Sequence, residues 1–481
     1  MKKLFFLSYC GLLLNCCLTA QSVRYFEQVA AWNSNQEGKK IKAVTDSLFI
    51  ISGNTVNPPL SNEWHSYTVE WSLNGTISTP QEYYYAHNDM SDLVNGQLAL
   101  TGYFYPDDST STYLYLLNVN GDSVSFNNVG TNLCSNWGRC IWSDIDGSFV
   151  IGGTAYIGGN KELYCLKVAG DGTVMWEYID TSYGHTNYFT DILPDGNGGY
   201  YLYGSVNQYP YGLVSTGDLL LLHLNAAGQL IDQHTYSIGE TDYSGDMLRS
   251  SDGGFLLGAA HVGENTDTWG LPEGGVVKIN ADYSLGWVND SMYLGSGASS
   301  LIELADGSII TTGSTQPPIV NSPMQMGLVK IAADGTPLWS RQYGGQWQDY
   351  GYDLALSPDG GFVAVGRKDS TVVQTAFLYI VKTNCMGLLT EPEASFSTTA
   401  STTALTASFQ NLSQFVYPDS IDGGHFIWDF GDGTVPQIDN AAFVSHTFPA
   451  YGTYTVRLTA VVCSDTSVVE QEVGVFPVGI Y

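Results

Sequence analysis

The sequence predicts an all-β chain, a seven-bladed β-propeller over residues 23–387 followed by a smaller β-domain. Two registers that recur together carry the prediction. The first is a β-rich run ending in a small residue at Gly53, Gly102, Gly153, Gly204, Ala259, Gly313 and Gly366, at intervals of 49, 51, 51, 55, 54 and 53 residues. The second is a later strand ending in a turn, as at Asn74-Gly75, Asn120-Gly121, Asp171-Gly172 and Asp334-Gly335. A period near fifty in a β-rich chain is that of a four-stranded propeller blade.

Each repeat is a series of strands. Most of the first runs follow a turn such as Asp252-Gly253-Gly254 or Asp359-Gly360-Gly361, whose glycine takes a turn conformation. The run itself is continuously apolar, as in Phe362-Val363-Ala364-Val365, and is assigned to the innermost, doubly buried strand. The strand before the second turn carries Lys167, Lys278, Lys330 or Lys382 at one position, and the strand after it a large residue, Trp176, Ile231, Trp287 or Trp339. These repeated aromatics are read as packing between blades. The last repeat lacks its final strand. Phe26 precedes Gly53 by 27 residues, as Phe126 precedes Gly153 and Trp339 precedes Gly366. Residues 23–29 are therefore expected to complete the seventh blade and protect the sheet edges there.

Composition bounds partners and address. Charged residues make up 13% of 481, and the formal net charge is −30. Such a surface repels phosphate backbones, so no nucleic-acid partner is expected. Lys2 and Lys3, the apolar run from Leu4 to Leu14, and Leu18-Thr19-Ala20 read as a cleavable export signal over residues 1–20. No segment is long enough for a transmembrane helix, and the expected location is extracellular or on the outer cell surface. Beyond the signal the chain keeps Cys134, Cys140, Cys165, Cys385 and Cys463. Cys134 and Cys140 flank one loop and are the expected disulfide; the alternative is five small buried hydrophobes.

Residues 388–395 read as a linker. Beyond them stand Trp428-Asp429-Phe430-Gly431-Asp432-Gly433-Thr434, His446-Thr447-Phe448 and Tyr451-Gly452-Thr453-Tyr454-Thr455-Val456. In kind and order these motifs resemble the polycystic kidney disease (PKD) domain, which implies an immunoglobulin-like β-sandwich over residues 396–475 and a short tail at 476–481. Asp429 and Asp432 can ligate calcium, but hydrogen bonding within their own turn is the favoured reading. His446 matches a structural position of that family. The propeller repeats, through Asp-Gly-Gly-Phe and Leu338-Trp339-Ser340-Arg341-Gln342-Tyr343-Gly344-Gly345, also resemble those of secreted and surface proteins of the Bacteroidetes group.

Chemistry is less legible. Thirteen residues before each landmark stand Lys40, Asp89, Cys140, Asp191, Asp246, Ser300 and Asp353. Four aspartates at one mouth of the channel would bind a divalent cation such as calcium through Asp89, Asp191, Asp246 and Asp353. Alternatively Asp191 and Asp353 would serve as acid and base on a sugar. The plainer reading is that each Asp fixes a loop to the adjacent blade. No other cofactor is expected. Connections between blades and long loops within them open on one face and carry Trp64, Trp137, Trp269, Trp347, Tyr350 and Tyr211, which suit a polysaccharide or an extracellular protein. No Gly-x-Ser-x-Gly or His-Glu-x-x-His motif is present. Asp144-Ile145-Asp146-Gly147 has half the look of a calcium loop but coincides with the repeat's own turn. A binding or adhesion protein is the leading expectation. A hydrolase or lyase using the aspartates is the alternative, and a purely structural surface protein the third.

Overall fold

The computed structural model describes residues 24–477, apart from 33–34, 57–63, 84, 108, 131–134, 209–216, 240, 263–272, 290–297, 316–322, 371–374, 401–404 and 419–422. The export-signal reading lies outside the described residues. All described elements are strands, with no helix. The chain divides into two compact units, Glu27–Gly387 and a second made of Met1–Phe26 with Leu388–Tyr481.

The larger unit is a β-propeller. Its strands form four-stranded antiparallel meanders over residues 36–83, 87–128, 136–180, 186–236, 241–289 and 300–343, here numbered blades 1 to 6. Blades 3 and 4 are joined into one sheet by a single parallel bridge, Lys161 to Thr186. The seventh unit is ordered Phe26–Ala30, Ala376–Thr383, Phe362–Asp369, Asp349–Leu356. An N-terminal strand thus supplies its outer edge, over residues 26–30 against the expected 23–29.

One expectation about the blades is overturned. The landmark run is the second strand of each blade, not the innermost. The first strands, such as Asn136–Ser143, Thr186–Pro194 and Thr241–Arg249, stand at the sheet edge and touch one another from blade to blade, closing a ring around the axis. The physical reason is burial. The second strand has a partner on either side and a blade on either face, so Ile309–Thr315 is buried throughout. The first strand turns part of its surface to the channel, and Asn136–Ser143 alternates accordingly.

The landmark glycines have a steric cause. A Cβ on Gly153 would lie 1.9 Å from the Trp137 carbonyl oxygen, and one on Gly366 1.8 Å from that of Tyr350. In both cases the inner strand bulges just beyond that carbonyl, and a bulge presses the backbone toward its neighbour. The recurring lysines also have one explanation. Lys167 pairs with Asp144 at 2.7 Å, Lys278 with Asp252 at 2.6 Å and Lys382 with Asp359 at 2.8 Å, each carboxylate standing in the turn before the landmark run. The repeated Trp side chains pack between blades, since Trp176 lies against Gly228 and Trp287 against Gly335 of the following blade. Hydrophobic layers fill the same spaces: Val150, Leu163 and Cys165 of blade 3 meet Phe189, Leu202 and Leu220 of blade 4.

The expected Cys134–Cys140 disulfide is not present. Cys140 is a free, buried thiol, as is Cys165, and Cys134 lies outside the described residues. Cys140 sits on an inner strand just past a bulge, in the apolar layer with Phe189 and Ile192. That position directs its sulfur into the core, and burial raises the thiol pKa. Cys385 is disulfide-bonded.

In the smaller unit two sheets enclose one core. One is ordered Phe396–Ala400, Thr406–Asn411, Phe443–Thr447, the other Gln437–Ile438, His425–Asp429, Gly452–Val462, Asp465–Val475. Trp428 is fully buried between Phe396, Phe409 and Phe430. Residue 393 already pairs with Gln414, so the sandwich begins inside the expected linker. Cys463, in the tight turn after Gly452–Val462, is disulfide-bonded.

Asp429 and Asp432 hold their turn. Asp429 accepts from the Gly431 amide, and Asp432 from the Thr434 amide and hydroxyl and from the His446 ring at 2.7 Å. Burial works to raise the Asp432 pKa, but the bonds from Thr434 and His446 outweigh it and bring it down from 3.8 to about 2. A depressed folded-state pKa lends stability above the unfolded value and withdraws it as pH falls through the folded one. The sandwich should therefore lose stability between pH 3.8 and about 2, and Asp432→Asn should flatten that part of the curve. Chemical denaturation followed at several pH values checks this; an unchanged slope in the variant would refute it.

Candidate functional site

The aspartate register lies within the inner strands, and a bulge accompanies it. The pairing between first and second strand skips between Gly38 and Lys40, His87 and Asp89, Gly138 and Cys140, Phe189 and Asp191, Ser244 and Met247, and Gly351 and Asp353. A bulge leaves a residue out of the ladder and re-aims its side chain. The residues left out include Lys39, Asn88, Arg139, Thr190 and Tyr352. All five line a cavity of about 250 Å³, together with Lys40, Asp246 and Tyr243.

The aspartates clamp the blades. One oxygen of Asp89 accepts from the Ile141 amide at 2.8 Å, Asp191 from Met247 at 2.7 Å, Asp246 from Leu301 at 2.7 Å and Asp353 from Ile41 at 2.8 Å. Each acceptor belongs to one blade and each donor to the next, and Asp353 joins blade 7 to blade 1. Lys40 supplies the counter-charge from the first position of the register, in blade 1, 3.2 Å from Asp89. Burial disfavours its charge, but Asp89, Asp353, Asp246 and Asp191 outweigh this and hold its pKa well above the ordinary lysine range. Burial and the neighbouring Asp246 carboxylate push Asp191 well up, and burial also raises Asp246. A proton taken up there belongs to the pair rather than to either carboxyl group.

This geometry does not assemble the cation site expected from Asp89, Asp191, Asp246 and Asp353. Among the described residues no three such groups come together in a way that could hold a metal ion. Each carboxylate has an oxygen engaged by a neighbouring blade, and Asp89 is also paired with Lys40.

Three of the six expected aromatic contacts have described side chains. Trp347 is 46% exposed. Tyr350 stacks on Tyr352 at 6.2 Å. Trp137 is half-buried, with its indole N–H donated to Thr110, Tyr103 at 5.7 Å and the Lys161 ammonium 4.7 Å from its ring. Tyr211 and Trp269 lie outside the described residues, and of Trp64 only the backbone is placed, at the start of Trp64–Ser72. The turn at Asp144-Ile145-Asp146-Gly147 is closed by the Ser148 amide bonding to Asp146, while Asp144 bonds to Lys167.

Sequence reasoning found Lys40 but missed two other cations of the cavity. Lys39 and Arg139 stand one residue before the counted register, and that same count, moved by one, would have found them.

Comparison with known proteins finds a family match for the C-terminal part. Residues 390–475 match the PKD-domain family. No curated protein matches the chain. Among solved structures, the PKD1 domain of the Vibrio cholerae metalloprotease PrtV is 27% identical over 18% of this chain and 98% of that one, with a TM-score of 0.14. The WD40 domain of Neurospora crassa Pan2 is 8% identical over 72% of this chain and 89% of that one, with a TM-score of 0.45. YCF48, solved bound to a D1 peptide, is 12% identical over 75% of this chain and 96% of that one, with a TM-score of 0.44. Among the described residues no helix is long and apolar enough to cross a membrane, which says nothing of a β-barrel. The chain carries a β-propeller and, after it, a PKD domain.

Proposed function

We propose that this is an exported binding protein, extracellular or on the outer cell surface. Its propeller face holds a polysaccharide or protein ligand, and its PKD domain serves as spacer or second contact. The observation that carries the reading is the use of the aspartates. The residues best suited to acid–base work are fastened to neighbouring blades, while the cavity beside them is lined by polar and aromatic side chains with room for a small group. The basic and apolar N-terminal segment supports export.

The test is binding of the purified protein to arrays of glycans and extracellular proteins, with calcium and with chelator. Binding is expected in at least one class, and replacing Trp64, Trp137, Trp269 and Trp347 together by Ala should abolish it. Retained binding in that variant would remove the propeller face from the reading. Turnover of a bound glycan that disappears in Asp191→Asn or Asp353→Asn would replace the binding protein by an enzyme.

A further inference from the structure

Blades 1 and 2 enclose a second cavity, and its walls are aromatic. It holds about 170 Å³ and is lined by Ser66 and Tyr83 of blade 1, Tyr85 of the connection between the blades, and Tyr113, Tyr115 and Phe126 of blade 2. None of these residues lines the cavity at the channel mouth. The rings form one contiguous set. Phe126 lies 5.1 Å from Tyr85, 5.6 Å from Tyr113 and 5.7 Å from Tyr115, and Tyr83 lies 5.0 Å from Tyr115. Their planes differ by 30° between Tyr85 and Phe126 and by 72° between Tyr83 and Tyr115, so the rings wall the cavity on several sides instead of forming one flat stack. Tyr85 is 36% and Phe126 38% exposed, and a ligand can reach them from solvent.

Two of these rings use their polar ends inside the protein. Tyr83 donates to the Gly121 carbonyl, and Tyr113 donates to the Ala86 carbonyl at 3.0 Å. What they offer the cavity is ring, whose face attracts positive charge. Elsewhere in the propeller such rings are covered by the protein's own cations: Tyr188 by Arg139 at 4.4 Å, Tyr352 by Lys39 at 4.3 Å and Tyr379 by Lys368 at 4.3 Å. Among the described residues no lysine or arginine lies over the five rings of this cavity. The sequence supplies none nearby: between Lys42 and Arg139 it has nine acidic residues and no lysine or arginine, and that stretch holds all of blade 2 and most of blade 1. Glu82 and Asp122 flank the Tyr83–Gly121 bond along the chain. The volume is below the roughly 300–1,000 Å³ of pockets that enclose a drug-sized ligand, which suits a compact head group.

We propose that this cavity binds a small organic cation, a quaternary or methylated ammonium group held among Tyr83, Tyr85, Tyr113, Tyr115 and Phe126. The methyl groups of such a cation fill apolar space, and the charge spread over them is attracted to the rings without calling for hydrogen-bond acceptors. A sugar, with hydroxyls all round, would find few partners here. The acidic sector, in a chain of net charge −30, draws a cation in at long range and repels an anion. The site is separate from the channel mouth and does not depend on the binding function proposed above.

The experiment uses the full chain with two probes of nearly the same shape, choline and the neutral alcohol in which carbon replaces its nitrogen, in calorimetry and ligand-observed NMR. Choline is expected to bind about tenfold or more tightly than the alcohol, with its methyl protons shifted upfield by the surrounding rings. Tyr85→Leu and Phe126→Leu keep apolar bulk but remove a ring. Each should weaken choline by about threefold to tenfold and leave the alcohol nearly unchanged, whereas Phe126→Tyr should retain choline binding. Equal binding of choline and the alcohol would make the cavity an apolar one only and overturn the inference. Choline binding undiminished in both Leu variants would put the cation elsewhere on the acidic surface, which also overturns it. So would silence with choline, or binding to the parent protein without the upfield shift, a readout that needs no variant to fold.

Discussion

Asp144→Ala should destabilise the propeller by about 3–5 kcal/mol, the usual cost of stripping one partner from a buried ion pair. Lys167 donates to Asp144 and to the Tyr200 hydroxyl, both at 2.7 Å, and Tyr200 donates to the same Asp144 oxygen. The side chains of Lys167 and Asp144 are 11% and 17% exposed. Without the carboxylate, the ammonium keeps only a neutral hydroxyl in a poorly hydrated place, and Tyr200 loses its acceptor. The triad also ties blade 3 to blade 4, so its loss loosens a boundary between blades. The cost lies in the stranded charge, so the double variant Asp144→Ala/Lys167→Met should recover most of the loss. Denaturant midpoints of the three proteins test this; a single variant within about 1 kcal/mol of the parent would place the pair in the weak class of surface bridges.

Trp428→Ala should unfold the C-terminal sandwich while leaving the propeller folded. Its side chain is fully buried and packs on Phe396 at 5.3 Å, Phe409 at 5.6 Å and Phe430 at 6.2 Å. Truncating a buried Trp costs about 3–5 kcal/mol through lost transfer energy and the cavity left behind. The matched segment, 390–475, has 86 residues, and a domain of that size has a stability of roughly 4–13 kcal/mol. The substitution removes a large share of it. The Trp428 indole N–H has no hydrogen-bond partner, so the loss is one of packing, and Trp428→Phe should be much milder. Limited proteolysis of the full chain is the readout. New cleavage confined to residues 390–475 is expected, and resistance equal to the parent would contradict the packing argument.

Local chemistry explains which features were legible in the sequence. The landmark glycines recur because a bulged inner strand brings a carbonyl where a Cβ would stand, at Gly53, Gly102, Gly153, Gly204 and Gly366, and such a requirement leaves its mark in five blades. The lysines at 167, 278 and 382 recur with turn aspartates because both ends of each pair lie within one blade. Trp428 and Phe430, two residues apart and stacked, announce the sandwich core through strand alternation. The sequence by itself therefore determined the repeat, the strand that completes the last blade and the second β-domain. What it could not decide is where a polar or sulfur atom finds its partner in the next blade, about fifty residues away. Tertiary structure alone moved the landmark run to second place in each sheet, decided that Cys140 is a buried thiol, and fixed which amides the four aspartates clamp, those of Ile41, Ile141, Met247 and Leu301. Spacing along the chain fixes period and turn, whereas electrostatic pairing depends on which blades the closed ring makes neighbours.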